Sequence, residues 1–190
     1  MTLFLLLIGS YMLGNILTAS IISKFLYKKN IQAEGSGNPG ARNAGRVLGK
    51  KAFVATFIGD ASKGAVAVLA TRWLGFEAPV ELLALFVVML GHNYPIWARF
   101  RGGMGVSTFI GGMLAFNPIL FAVFVGLFLV FYPFFKSFTV AGLSAVVWLP
   151  VLVLLFSYDI PTFVIACLLA TLLLFAHRED LKGKILLKRG

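Results

Sequence analysis

Gly35-Ser36-Gly37-Asn38-Pro39-Gly40-Ala41-Arg42-Asn43-Ala44-Gly45-Arg46 is a polar, basic, glycine-rich island in a chain that is otherwise apolar. Glycine lets backbone N–H groups turn toward an anion with no side chain in the way, and successive N–H groups form a nest for it. Ser36, Asn38 and Asn43 add hydrogen-bonding groups, and Arg42 and Arg46 add fixed positive charge. A phosphate is the simplest ligand for such a loop. A tight connector whose arginines grip the face of a bilayer accounts for the same residues, and composition leaves both readings open.

On either side of the island the chain is built for lipid. Of its 190 residues 59% are hydrophobic, and the mean hydropathy is +0.93. That excess lies far above a soluble domain and is arranged in blocks, which predicts an all-α polytopic membrane protein, one domain over 1–190. Seven apolar segments are readable, at about 2–23, 52–74, 80–98, 106–116, 118–135, 139–156 and 161–176. The fourth is too short to cross alone, since a span takes roughly 20 residues, and reads as a half-helix. The first is not a signal peptide by pattern: it lacks a basic start, and Ser10, Asn15, Thr18 and Ser20 interrupt it.

Charge sorts the connections onto two sides. With an external N-terminus, the stretch 24–51, the turn 99–105, the turn at Lys136 and the tail after Ala176 face the cytoplasm. They carry 15 of the 17 lysines and arginines. The outer turns hold Arg72 against Glu77, Glu81 and Asp159. This is the positive-inside pattern, and the reverse orientation breaks it. The formal net charge of +10 therefore sits between spans. It points to anionic headgroups and phosphorylated small molecules rather than nucleic acid. The single cysteine, Cys167, rules out an internal disulfide, and no cluster has metal-ligand spacing.

Other polar residues lie in or beside the apolar blocks. Asp60 and Lys63, three apart, share a helix face and can pair, either as the wall of a site or as a structural ion pair. Gly91-His92-Asn93-Tyr94-Pro95 ends the third block, and Arg99-Phe100-Arg101-Gly102-Gly103-Met104-Gly105 leads into Val106-Ser107-Thr108. A glycine turn feeding a helix start suits an anion, because the first N–H groups lack partners and the dipole end is positive. His92 at a helix end reads first as a hydrogen-bonded structural residue. His177-Arg178-Glu179-Asp180 follows the last block, either as an interfacial anchor or with His177 at a pocket mouth. Gly45, Gly111 and Gly112 fit close helix packing equally well.

Taken in order, Gly35-Ser36-Gly37-Asn38 through Arg46-Val47-Leu48-Gly49-Lys50-Lys51, Gly91-His92 with Pro95, Phe100 with Gly102-Gly103 and Gly105-Val106, and His177-Arg178-Glu179 resemble the motifs of the bacterial acyl-phosphate:glycerol-3-phosphate acyltransferases (PlsY type). The resemblance runs over nearly the whole chain. It implies a seven-helix plasma-membrane protein with an external N-terminus, a cytoplasmic C-terminus and a cytoplasmic active site. It implies transfer of a fatty acyl group from acyl phosphate to the 1-hydroxyl of glycerol 3-phosphate. Lysophosphatidic acid and phosphate result, with no metal, cofactor or acyl-enzyme. Carried over by position, Ser36 and His177 are the catalytic residues. Gly35, Gly37, Asn38, Gly40, Asn43, Arg46, Arg101, Gly102, Gly103 and Gly105 are the phosphate contacts, with His92 and Glu179 also in the motifs.

The chain departs from the family pattern at several of these positions. Arg42 replaces a threonine, Met104 a lysine in the glycine turn, and Gly142 falls near a serine at the start of the sixth helix. Ala176 replaces an arginine and Asp180 an asparagine. A lysine facing phosphate contributes about 1.5–3 kcal/mol as a charge-assisted hydrogen bond. These departures keep a second reading in view: a diverged homologue, non-catalytic or with another acceptor, that binds a phospholipid or lysophospholipid.

Overall fold

The computed structural model describes residues 1–186, with side chains described as far as Lys182. Lys184, Lys188 and Arg189, counted above in the basic tail, lie outside the described side chains. The helices are α1 (Thr2–Gly14), α2 (Thr18–Leu26), α3 (Ala41–Leu48), α4 (Lys50–Trp73), α5 (Ala78–Asn93), α6 (Val106–Phe116), α7 (Pro118–Phe135), α8 (Phe138–Val147), α9 (Leu149–Leu155), α10 (Ile160–Ala176) and α11 (Arg178–Leu186). They group into two compact units, Met1–Phe116 and Asn117–Gly190.

Among the described residues, three stretches are long and apolar enough to cross a membrane singly: Lys50–Trp73, Ala78–Ala98 and Pro118–Phe135. The first apolar block is not one rod but α1 and α2, bent by 41°, and the sixth is α8 and α9, also bent by 41°. Val106–Phe116 and Ile160–Ala176 are shorter apolar helices. The polar stretch 24–51, read as a loop, holds the end of α2, a 3₁₀ turn at Ile31–Ala33 and the helix α3. Glycine and asparagine lower the helix propensity of 40–46 and hid α3.

In the first unit the bend between α1 and α2 survives because its freed backbone groups find partners. The Asn15 side chain donates to Tyr11 O at 2.7 Å and accepts from Ile96 N at 2.7 Å. Lys63 Nζ donates to Ile16 O at 2.8 Å and Gly14 O at 3.3 Å. Broken helices are tolerated at membrane depth on that condition. The Tyr11 hydroxyl donates to Tyr94 O at 2.7 Å and ties α1 to the end of α5.

Small residues let these helices meet backbone to backbone. A Cβ on Gly14 would overlap Val88 O, and one on Gly64 would overlap Thr108 O. Gly111 and Gly112 press on Ala61 O and the Leu85 side chain, so both are close-packing positions. Gly45 packs on Phe53, where a Cβ would stand 2.9 Å from Phe53 Cβ.

The second unit is held by caps and by apolar contacts. Asn117 accepts from Ile119 N and Leu120 N at 3.0 Å, starting α7 ahead of Pro118. Only Leu120 and Phe124 of α7 are buried, so most of its apolar surface is left for lipid. Asp159 caps α10, accepting from Thr162 N at 3.0 Å and from the Thr162 hydroxyl.

Candidate active site

The polar island is a rigid platform clamped from α3. Asn30 accepts from Gln32 N at 3.1 Å and starts the 3₁₀ turn. The chain then reverses through Gly35 (φ +60°) and Gly37 (φ +71°), where a Cβ is disfavoured. Asn43, buried in the first turn of α3, accepts from Ser36 N at 3.0 Å and donates to Glu34 O at 3.0 Å and Ile31 O at 3.3 Å. Gly37 N donates to Glu34 O at 3.0 Å. The N–H groups of Ser36 and Gly37 are thus engaged inside the loop rather than turned outward as a nest. Asn43 holds the loop with its whole amide. What the platform presents is exposed Ser36, exposed Arg42 and Arg46 one turn apart, and Asn38 beside Gly40. Asn38 Oδ1 is buried with no hydrogen-bond partner among the described residues.

The second glycine turn is seated on the end of α5. Gly103 N donates to His92 O and Gly102 N to Asn93 O, both at 3.0 Å. A Cβ on Gly102 would overlap His92 O, and one on Gly103 would overlap His92 Nε2. Those positions need glycine for close approach, and their N–H groups cap α5. Gly105 (φ +80°) then opens α6, whose first N–H groups have no partner within the helix. The side chain of Gln32 donates to Arg101 O at 2.6 Å, tying the Ser36 loop to this turn across 69 residues. Arg99 and Arg101 are exposed, and Met104 is half-buried.

Behind the turn lies a buried polar chain. Thr18 Oγ1 donates to Asp60 Oδ1 at 2.9 Å, Asp60 pairs with Lys63 at 3.1 Å, and Lys63 Nζ meets His92 Nδ1 at 2.7 Å. An ammonium only donates, so Nδ1 accepts and the ring proton sits on Nε2, against Gly103. Asp60, Lys63 and His92 brace the bend between α1 and α2 and the seat of the turn.

In the second unit His177, 6% exposed, directs Nδ1 to Leu173 O at 2.9 Å. A carbonyl only accepts, so Nδ1 donates in this bond and Nε2 is the ring nitrogen left for a ligand. Glu179 is exposed and pairs with Lys182 at 3.2 Å and Arg178 at 3.6 Å. Asp180 lies in the first turn of α11, and a Cβ on Gly142 would meet nothing within 4 Å. Among the described residues no group of three His, Cys, Asp or Glu could hold a metal ion. Gln32 and Asn15, which join the elements of the first unit, carried no signal in the sequence, because their partners are 69 and 81 residues away.

Residues 4–186 match the family model described as glycerol-3-phosphate acyltransferase. A Bacillus cereus protein named glycerol-3-phosphate acyltransferase 1 is 46% identical over 176 residues, 93% of this chain and 97% of its own length. One of the same name from Desulfitobacterium hafniense is 36% identical over 177 residues, 93% of this chain and 88% of its own. The crystal structure of PlsY (YgiH), an integral membrane glycerol 3-phosphate acyltransferase, in its glycerol 3-phosphate form is similar with a TM-score of 0.88. It is 28% identical, over all of this chain and 94% of that one. Its lysophosphatidic acid form is similar with a TM-score of 0.86.

Proposed function

The chain belongs to the glycerol-3-phosphate acyltransferase family, and we propose on that premise that it moves a fatty acyl group from acyl phosphate to the 1-hydroxyl of glycerol 3-phosphate. The hydroxyl oxygen attacks the acyl carbonyl carbon, and an ester C–O bond forms. The C–O bond to phosphate breaks, phosphate leaves, and the hydroxyl proton is taken up. Lysophosphatidic acid is the product.

Acyl phosphate is an activated anhydride with a good leaving group, so positioning and charge stabilisation can supply most of the rate. Both substrates carry phosphate, which suits a site rich in arginine and helix N-termini. The observation that carries this reading is the Gln32–Arg101 tie. It joins the Ser36 loop to the second glycine turn within one unit and places exposed Arg42, Arg46 and Arg101 on the joined segments.

We assign the reaction to Ser36 and His177, the latter with Nε2 as proton acceptor. Phosphate contacts go to Arg46, Arg101, Asn38, Gly40 and Gly105. Gly35, Gly37, Asn43, Gly102 and Gly103 shape the two segments. We assign no cofactor, one working domain over 1–190, an external N-terminus and a site facing the cytoplasm of a bacterial plasma membrane.

The test uses the full chain purified in detergent, with palmitoyl phosphate and glycerol 3-phosphate. Lysophosphatidic acid and phosphate should appear in equal amounts, and Ser36→Ala and His177→Ala should abolish both. Absence of product from the native chain overturns the proposal. Lysophospholipid binding without transfer would instead mark a non-catalytic homologue.

A further inference from the structure

Asn93 is 5% exposed, yet neither its Oδ1 nor its Nδ2 has a hydrogen-bond partner among the described residues. A buried amide without partners is costly, and natural proteins keep such groups where something else completes them. The amide lies against the start of α6: a Cβ on Gly105 would stand 2.8 Å from Asn93 Oδ1. Thr108, fully buried in the first turn of the same helix, also has an unpartnered Oγ1. With the open N–H groups of α6, the end of α5 and the start of α6 concentrate donors around Gly105.

We infer that Asn93 is a phosphate-binding residue, which donates through Nδ2 to a phosphate seated at the N-terminus of α6. The inference rests on the proposed function for the identity of the phosphate-bearing substrate. Nothing bonded to either amide atom fixes its rotation, so Nδ2 can face the ligand. A tetrahedral phosphate offers several acceptors, which matches donors from an amide and a helix end. The neighbouring side chain cannot do this work: Met104 has no donor. Lys63, a buried cation of this unit, is engaged by Asp60, His92 and two carbonyls. Asn93, at the end of α5, thereby joins Arg101 and Gly105 in reading the phosphate.

The experiment compares the full-length native chain with Asn93→Asp and Asn93→Ala. Asn93→Asp keeps the shape and replaces the donor by a negative acceptor. KM for glycerol 3-phosphate and for palmitoyl phosphate are measured separately, and binding of inorganic phosphate is followed by calorimetry. A charge-assisted hydrogen bond predicts a rise of about ten- to hundredfold in one KM, with kcat changed far less. The substrate whose KM rises is the one whose phosphate sits here. Inorganic phosphate should weaken by a similar factor.

Unchanged KM values with only a lower melting temperature overturn the inference and make Asn93 the partner of a buried water. If the native chain transfers no acyl group but binds phosphate through Asn93, the proposed reaction falls and this site stands. If it neither transfers nor binds phosphate, both fall. Should both variants fail to fold, the Asn93 side-chain amide signal of the native protein, labelled with ¹⁵N-asparagine, decides. A shift on adding phosphate supports the site, and an unmoved signal overturns it.

Discussion

Arg46 stands exposed in the last turn of α3, one turn beyond Arg42. A guanidinium there can grip a phosphate with two parallel N–H bonds, which an ammonium cannot copy. Arg46→Lys is therefore expected to lower kcat/KM by about tenfold or more. Turnover at the native level would reduce Arg46 to a membrane anchor. Met104, half-buried between two glycines of the second turn, is the complementary case. Met104→Lys should lower the KM for glycerol 3-phosphate, or raise kcat if the new charge acts mainly in the transition state. Steady-state kinetics on the purified variant decide between them, and no change in either constant would remove residue 104 from the phosphate site. Gly142→Ser, combined with Met104→Lys in a double variant, should fold normally because a Cβ at 142 meets open space.

Among the elements, α4 carries the greatest liability, a buried ion pair in an apolar helix. Lys63→Met removes the ammonium partner of Asp60 and strips donors from two carbonyls at the α1–α2 bend. Breaking a buried pair from one side costs about 3–5 kcal/mol. Adding Asp60→Asn should recover part of the loss, so the two changes will not add, as thermal unfolding in detergent can show. At the start of α10 the hydroxyl and then the N–H of Thr162 hold the Asp159 carboxyl below its usual range. A depressed carboxylate stabilises the fold above its unfolded pKa, about 3.9, and loses that contribution as pH falls through the lower folded value. Melting curves of Asp159→Ala and native protein should thus differ at neutral pH and converge only at strongly acid pH.

At the scale of the molecule the testable property is orientation. With Cys167→Ser as background, Lys29→Cys in the 24–51 stretch should react with an impermeant maleimide only in inverted vesicles, since the six basic residues that remain there resist export. Labelling in intact cells would overturn the cytoplasmic site. Hydropathy is local and additive, so residue order alone fixed the apolar blocks, and α4, α6, α7 and α10 fall within about two residues of them. The order of motifs likewise pointed to the family. Hydrogen-bond satisfaction is neither local nor additive, and it settled the rest. The bend at Asn15 depends on Ile96 and Lys63, the seat of Gly103 depends on His92, and the joining of the two glycine segments depends on Gln32. Those partners lie tens of residues apart, except where the turn doubles back on His92. Only the folded chain shows which glycine N–H groups are spent holding the loops and which polar atoms, such as those of Asn93, are left without a partner.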